Sequence, residues 1–187
     1  MTGKPVVVFV GPPGAGKSTI GAALAERLDL ALRDTDLDVE ALTGSSIADL
    51  FVERGEEYFR ELESEAVRAA LDSHSGVLSL GSGAILRPET RKALASHFVV
   101  WLDVDVHSAV QRVGMNVARP LLLGNVHGKF LELHRAREPF YAEVATVRVD
   151  TSELTVEEIV EKLCGQIPTH PHPHSHSHSH PHSHPHQ

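Results

Sequence analysis

Five strand-like runs punctuate the chain: VVVFV (residues 6–10), LALRD (30–34), GVLSL (76–80), FVVWLDV (98–104) and VRV (147–149). Between them, apolar residues recur at helical spacing around 18–28, 46–54, 56–73, 88–96, 106–113, 128–142 and 155–165. Near-continuous apolar strands interleaved with helices predict an α/β fold, a three-layer α/β/α sandwich with a five-stranded parallel sheet covered on both faces. Residues 114–127, GMNVARPLLLGNVH, break every period. A loop of that length is either a mobile lid over a site or a disordered connector. From Thr169 the pattern changes again: nine of the nineteen residues 169–187 are His, alternating with Pro or Ser. Prolines remove ladder donors and nothing apolar is available to bury, so a single domain over 1–168 followed by a disordered tail is expected.

The first strand runs directly into GPPGAGKST (11–19) and then into a helix. Gly11, Gly14 and Gly16 permit backbone conformations in which successive N–H groups turn inward around an anion at a helix N-terminus. Lys17 adds a positive charge where β- and γ-phosphates would lie, and Ser18 offers a hydroxyl to Mg²⁺. The string is a full G-x-x-x-x-G-K-S in its strand-loop-helix context, which makes a nucleotide triphosphate the expected ligand.

The carboxyl edge of the sheet, marked by this loop, should carry the remaining chemistry. The second strand ends in Asp34-Thr35-Asp36. If the strand persists that far, its alternation points both carboxylates the same way, one toward a metal shell and one toward an acceptor; alternatively Thr35 or Asp36 caps the next helix, at 37–42. Arg60 and Glu63 lie three apart on one helix face beside Phe59, a spacing that considered alone predicts a surface ion pair. Gly81 and Gly83 bracket Ser82 at the end of the third strand, where glycines permit close approach of a ligand or simply a tight turn.

Charge narrows the partners. Lys and Arg total 17 against 25 Asp and Glu, a balance of −8. That argues against nucleic acid or an anionic membrane as the main partner, and requires any anionic substrate to meet a local arginine cluster. The single Cys164 cannot form an internal disulfide, VVVFV is too closely followed by the phosphate loop to be a signal sequence, and no apolar run approaches a membrane span. A cytoplasmic monomer is expected.

The ordered set GPPGAGKST, DTD, TGSSIADLFVERGEEYFRELE, LSLGSGA, RPLL and REPFY resembles the shikimate kinases, among the small P-loop kinases related to nucleoside monophosphate kinases. The resemblance runs from about residue 5 to residue 167. It implies ATP-dependent phosphorylation of the 3-hydroxyl of shikimate with Mg²⁺, a step toward the aromatic amino acids. Carried over by position, it implies that Gly14, Ala15, Gly16, Lys17, Ser18 and Thr19 hold the nucleotide phosphates, that Ser18 and Asp34 serve the metal, and that Arg112 flanks the adenine. Asp36 would bind the ring hydroxyls and accept the proton of the attacking one. Arg60 and Arg137 would hold the shikimate carboxylate with Glu63 orienting them, as suits a planar fork meeting a carboxylate. Phe51, Phe59 and Pro13 would wall the pocket, residues 36–64 would form the acceptor subdomain, and Arg119 would reach the transferring group when lid 114–127 closes. Gly81, Ser82 and Gly83 stand where the family usually has three glycines; Ser82 keeps the backbone N–H that contacts substrate, at no cost if its φ is negative and with strain on the order of 1 kcal/mol if positive.

Two other readings use part of the same features. A kinase for gluconate shares the loop and sheet but supplies no reason for DTD together with Arg60 and Arg137. A metal-delivery GTPase would suit the His-rich end, whose imidazoles can take Ni²⁺, Zn²⁺ or Cu²⁺, but the Asn/Thr-Lys-x-Asp guanine motif does not occur.

Overall fold

The structure is a computed structural model and describes residues 3–116 and 125–168. In chain order its elements are β1 (Val7–Val10), α1 (Lys17–Leu28), β2 (Leu32–Asp34), α2 (Thr35–Thr43), α3 (Ile47–Ser73), β3 (Val77–Ser79), a 3₁₀ turn (Ala84–Leu86), α4 (Pro88–Leu94), β4 (Val99–Asp103), α5 (Val106–Asn116), α6 (Val126–Val144), β5 (Val147–Asp150) and α7 (Val156–Cys164). The five strands form one parallel sheet in the order β2-β3-β1-β4-β5.

The apolar runs are continuous because both faces of the sheet are covered. Val7 and Phe9 of β1 pack with Ile20 and Leu24 of α1 and with Ile159 and Leu163 of α7. Val8 and Val10 face the other way, into Val67 and Leu71 of α3 and Tyr141 of α6. Alternation along one strand therefore feeds two separate cores. Leu24 is fully buried, so its truncation to Ala would cost about 2–5 kcal/mol. A third, smaller cluster of Val39, Leu50 and Phe59 joins α2 to α3.

The two helices expected over 46–54 and 56–73 are one element bent at Gly55, whose φ of 83° and ψ of 166° leave the helical region. That left-handed φ is accessible to glycine at little cost. Two boundaries differ from expectation. Helix α2 begins at Thr35 rather than residue 37, because Asp34 itself caps it. Helix α5 runs to Asn116 and α6 starts at Val126, so the ends of the stretch 114–127 are helical. Residues 117–124, including Arg119, and the tail 169–187 lie outside the described residues. No described helix is long and apolar enough to cross a membrane.

Candidate functional site

The loop between β1 and α1 is built on three left-handed glycines, Gly11 (φ 151°), Gly14 (φ 79°) and Gly16 (φ 89°). A Cβ on Gly14 would come within 2.8 Å of the Ala109 carbonyl, so the loop is also pressed against α5. Gly16 forms the N-terminal boundary of α1 without a side-chain cap, and no acidic residue occupies the first turn. The positive end of that helix is thus left for an external anion. The Lys17 ammonium folds back over the loop and donates to the carbonyls of Gly11 at 2.8 Å and Pro12 at 3.1 Å. Burial lowers its pKa to about 8, against the opposing pull of Asp36 and Asp34.

A cleft of about 260 Å³ opens beyond the loop, lined by Lys17, Ser18, Thr19, Asp34, Asp36 and Ser82, among others. The Ser18 hydroxyl donates to Asp34 Oδ2 at 3.0 Å, while Asp34 Oδ1 accepts the Asp36 backbone N–H at 2.9 Å. Since β2 ends at Asp34, strand alternation does not align Asp34 with Asp36; the capping geometry of Asp34 and the first turn of α2 set their directions instead. Two hard oxygens 3.0 Å apart beside a phosphate loop fit a Mg²⁺ ion that keeps most of its waters. Among the described residues no cluster of three or more His, Cys, Asp or Glu could hold a metal alone, so phosphate oxygens and water would have to complete such a shell.

Across the cleft, Arg60 and Glu63 are not a surface pair. They are 9% and 1% exposed and 2.6 Å apart, because the face of α3 that carries them turns onto the end of β3. Arg60 also reaches Glu56 at 3.3 Å and lies over the rings of Phe51 and Phe59, which themselves pack 4.9 Å apart. Pro13, half-buried in the phosphate loop, is not part of the Phe59 cluster. The two glycines after β3 are explained by these side chains. A Cβ on Gly81 would strike the carboxylates of Asp36 and Glu63, and one on Gly83 would strike the Arg60 guanidinium. Ser82 between them is not among the described residues of positive φ, so it carries no left-handed strain. Its Oγ accepts from Arg137 Nη1 at 3.3 Å.

Asp36 Oδ1 and Glu63 Oε1 are buried without a hydrogen-bond partner. Burial raises both pKa values, helped in Asp36 by the neighbouring charges of Glu63 and Asp34 and offset in Glu63 chiefly by Arg60; Asp36 reaches about 6. Both orphaned oxygens lie beside the backbone of Gly81, where hydroxyl donors from a ligand that reaches them would satisfy both. Arg112, expected beside a nucleotide base, ties the loop down from its outer side. Its guanidinium donates to the Gly14 carbonyl at 3.2 Å and to Thr151 Oγ1 and O at 3.1 and 2.8 Å.

Three further residues complete the frame: Thr35, expected only as a possible helix cap, and Ser79 and Tyr141, which pattern alone did not single out. Thr35 Oγ1 accepts the Gly81 N–H at 3.3 Å, Ser79 O accepts from Thr35 Oγ1 at 3.5 Å, and the Tyr141 hydroxyl donates to the Ser82 carbonyl at 2.6 Å. Tyr141 is fully buried, and burial pushes its pKa up to about 12, so it stays a donor. Its position four residues after Arg137, hence on the same helix face, is the signal that could have found it.

A family model described as "Shikimate kinase" matches residues 13–168. The shikimate kinase of Thermobifida fusca is 51% identical over 168 residues, covering 90% of this chain and 98% of that protein. That of Mycobacterium bovis is 47% identical over 164 residues, covering 87% and 93%. Among solved structures, shikimate kinase from Acinetobacter baumannii in complex with shikimate superposes with a TM-score of 0.81 at 33% identity, covering 89% of this chain and 93% of that one. The shikimate kinase of Aquifex aeolicus gives 0.73 at 28% identity, covering 84% and 93%.

Proposed function

The chain belongs to the shikimate kinase family, and from that premise we propose that it transfers the terminal phosphoryl group of ATP to the 3-hydroxyl of shikimate. The observation that carries this reading is the grouping behind the cleft beyond the phosphate loop: Asp36 and Ser82 line the cleft, Glu63 and the nearly buried Arg60 lie against Gly81 and Gly83, and the nearly buried Arg137 ends on Ser82. Guanidinium forks suit the acceptor's carboxylate, and the free oxygens of Asp36 and Glu63 suit its hydroxyls.

In this reading the loop from Gly14 to Thr19 cradles the phosphates and Lys17 swings from the Gly11 and Pro12 carbonyls onto the β/γ oxygens. Ser18 and Asp34 would hold Mg²⁺, which would supply neutralising charge to the phosphates. Asp36, with a pKa of about 6, is mostly ionised at pH 7 and accepts the 3-hydroxyl proton as that oxygen attacks the γ-phosphorus. The bond from phosphorus to the β–γ bridging oxygen breaks and ADP leaves. Glu63 holds Arg60 toward the carboxylate, and Phe51, Phe59 and Pro13 border the ring. Ser82 and Gly83 present backbone donors, and Gly81, its own N–H held by Thr35, gives the substrate close approach. Arg112 fixes the loop's outer rim next to the base, and Arg119, in a lid over 114–127, meets the transferring group and helps exclude water. Residues 36–64 act as the acceptor subdomain of a single kinase domain, 1–168. The enzyme is a cytoplasmic monomer, and tail 169–187 binds Ni²⁺, Zn²⁺ or Cu²⁺ apart from catalysis.

The test is ADP release with ATP or GTP, each with shikimate, gluconate or no acceptor. Turnover with ATP and shikimate alone is expected. Preference for gluconate, or GTP hydrolysis without an acceptor, would replace this reading with one of its rivals.

A further inference from the structure

Arg137 and Tyr141 project from one face of α6 and both end on Ser82, Arg137 on its hydroxyl oxygen and Tyr141 on its carbonyl. The serine is therefore held at side chain and backbone by a single helix. Arg137 is 9% exposed, and none of the ion pairs among the described residues includes it. A guanidinium so placed needs acceptors, and it reaches Ser82 Oγ at 3.3 Å with the Tyr141 hydroxyl beside it. One N–H of the planar fork is engaged there, which leaves the rest for an anion. The serine hydroxyl, accepting from a cation, keeps its own proton to give, and Ser82 lines the cleft.

We propose that the Ser82 hydroxyl is a specificity-determining group for the acceptor's carboxylate: it holds the Arg137 fork in place and donates its own proton to the same anion. A glycine at this position would supply the backbone N–H but neither of these functions. The inference rests on the reading that the acceptor is shikimate bound through its carboxylate by Arg137.

The experiment compares wild type, Ser82→Ala and Ser82→Gly on shikimate and on shikimate methyl ester, in which the carboxylate charge is gone. Both variants should raise KM for shikimate about tenfold or more, with kcat and the KM for ATP within about twofold, as loss of one charge-assisted hydrogen bond predicts. On the ester the loss should shrink to within about threefold, because its neutral carbonyl oxygen accepts only an ordinary hydrogen bond from the hydroxyl. An unchanged KM for shikimate, or the same loss on acid and ester, overturns the proposal. So does a loss confined to Ser82→Gly, which would trace to chain flexibility; thermal melting checks folding, and either variant alone suffices for the acid-to-ester comparison. Absence of any shikimate turnover in wild type would instead overturn the functional reading beneath it.

Discussion

Replacing Asp36 by Asn should stabilise the protein while disabling it. The Asp36 carboxyl is buried beside Glu63 and Asp34, and its pKa rises from 3.8 to about 6. The unfolded chain ionises near the lower value, so the folded state resists ionisation and loses stability as pH rises between the two. No penalty exists below 3.8 and the full one applies above about 6. A shift of about two units at ~1.4 kcal/mol each sets an upper bound of about 3 kcal/mol, and partial solvent access lowers the expectation to about 1–3 kcal/mol. Asparagine keeps the shape without the charge, and the Asp34 cap is untouched because it binds the backbone N–H of residue 36. Urea unfolding of nucleotide-free protein should show the variant more stable than wild type at pH 8, with the difference mostly gone at pH 4. Its turnover should fall by about 10²-fold or more with ATP affinity nearly unchanged, as loss of a general base predicts. A variant less stable than wild type at pH 8, or an equal gain at both pH values, would refute the electrostatic argument. Near wild-type turnover would refute the catalytic one.

Wild-type kcat/KM for shikimate should decline about tenfold per unit below pH 6 as Asp36 protonates in the free enzyme, and a flat profile down to pH 5 would exclude it as the base. Arg137→Lys keeps the charge but loses the fork, so KM for shikimate should rise about tenfold while that for ATP moves little; equal effects would indicate a role in folding or lid closure. Gly83→Ala drives a methyl into the Arg60 guanidinium, and kcat/KM for shikimate should drop about tenfold or more with the phosphate loop intact, measured as unchanged ATP binding. Truncation after Ile167 should abolish retention on immobilised nickel and leave shikimate phosphorylation within about twofold.

Most of the scaffold was legible because its signals are local. Buried parallel strands read as continuous apolar runs, and the phosphate loop is a contiguous string whose glycines take the left-handed φ it requires. Spatial relations were not local. Spacing put Arg60 and Glu63 on one face but could not say that the face is buried, since that depends on how α3, kinked at Gly55, meets β3. The glycines at 81 and 83 suggested room for a ligand or a turn; what they accommodate in the structure is three side chains from α2 and α3. The expectation for Asp34 and Asp36 extends strand periodicity two residues too far, past the point where Asp34 becomes a cap. The resemblance places Arg112 beside the adenine, but nothing in its spacing shows the contacts with Gly14 and Thr151 into which the fold brings it.

The central claim concerns where the phosphate goes, so the most direct measurement is the structure of the product. Phosphorus–proton correlated NMR on the product of ATP and shikimate should show coupling from the new phosphate to the proton on carbon 3, with one ADP formed per phosphate transferred. A phosphate on another carbon, or ADP appearing with free phosphate and unmodified shikimate, would contradict the account.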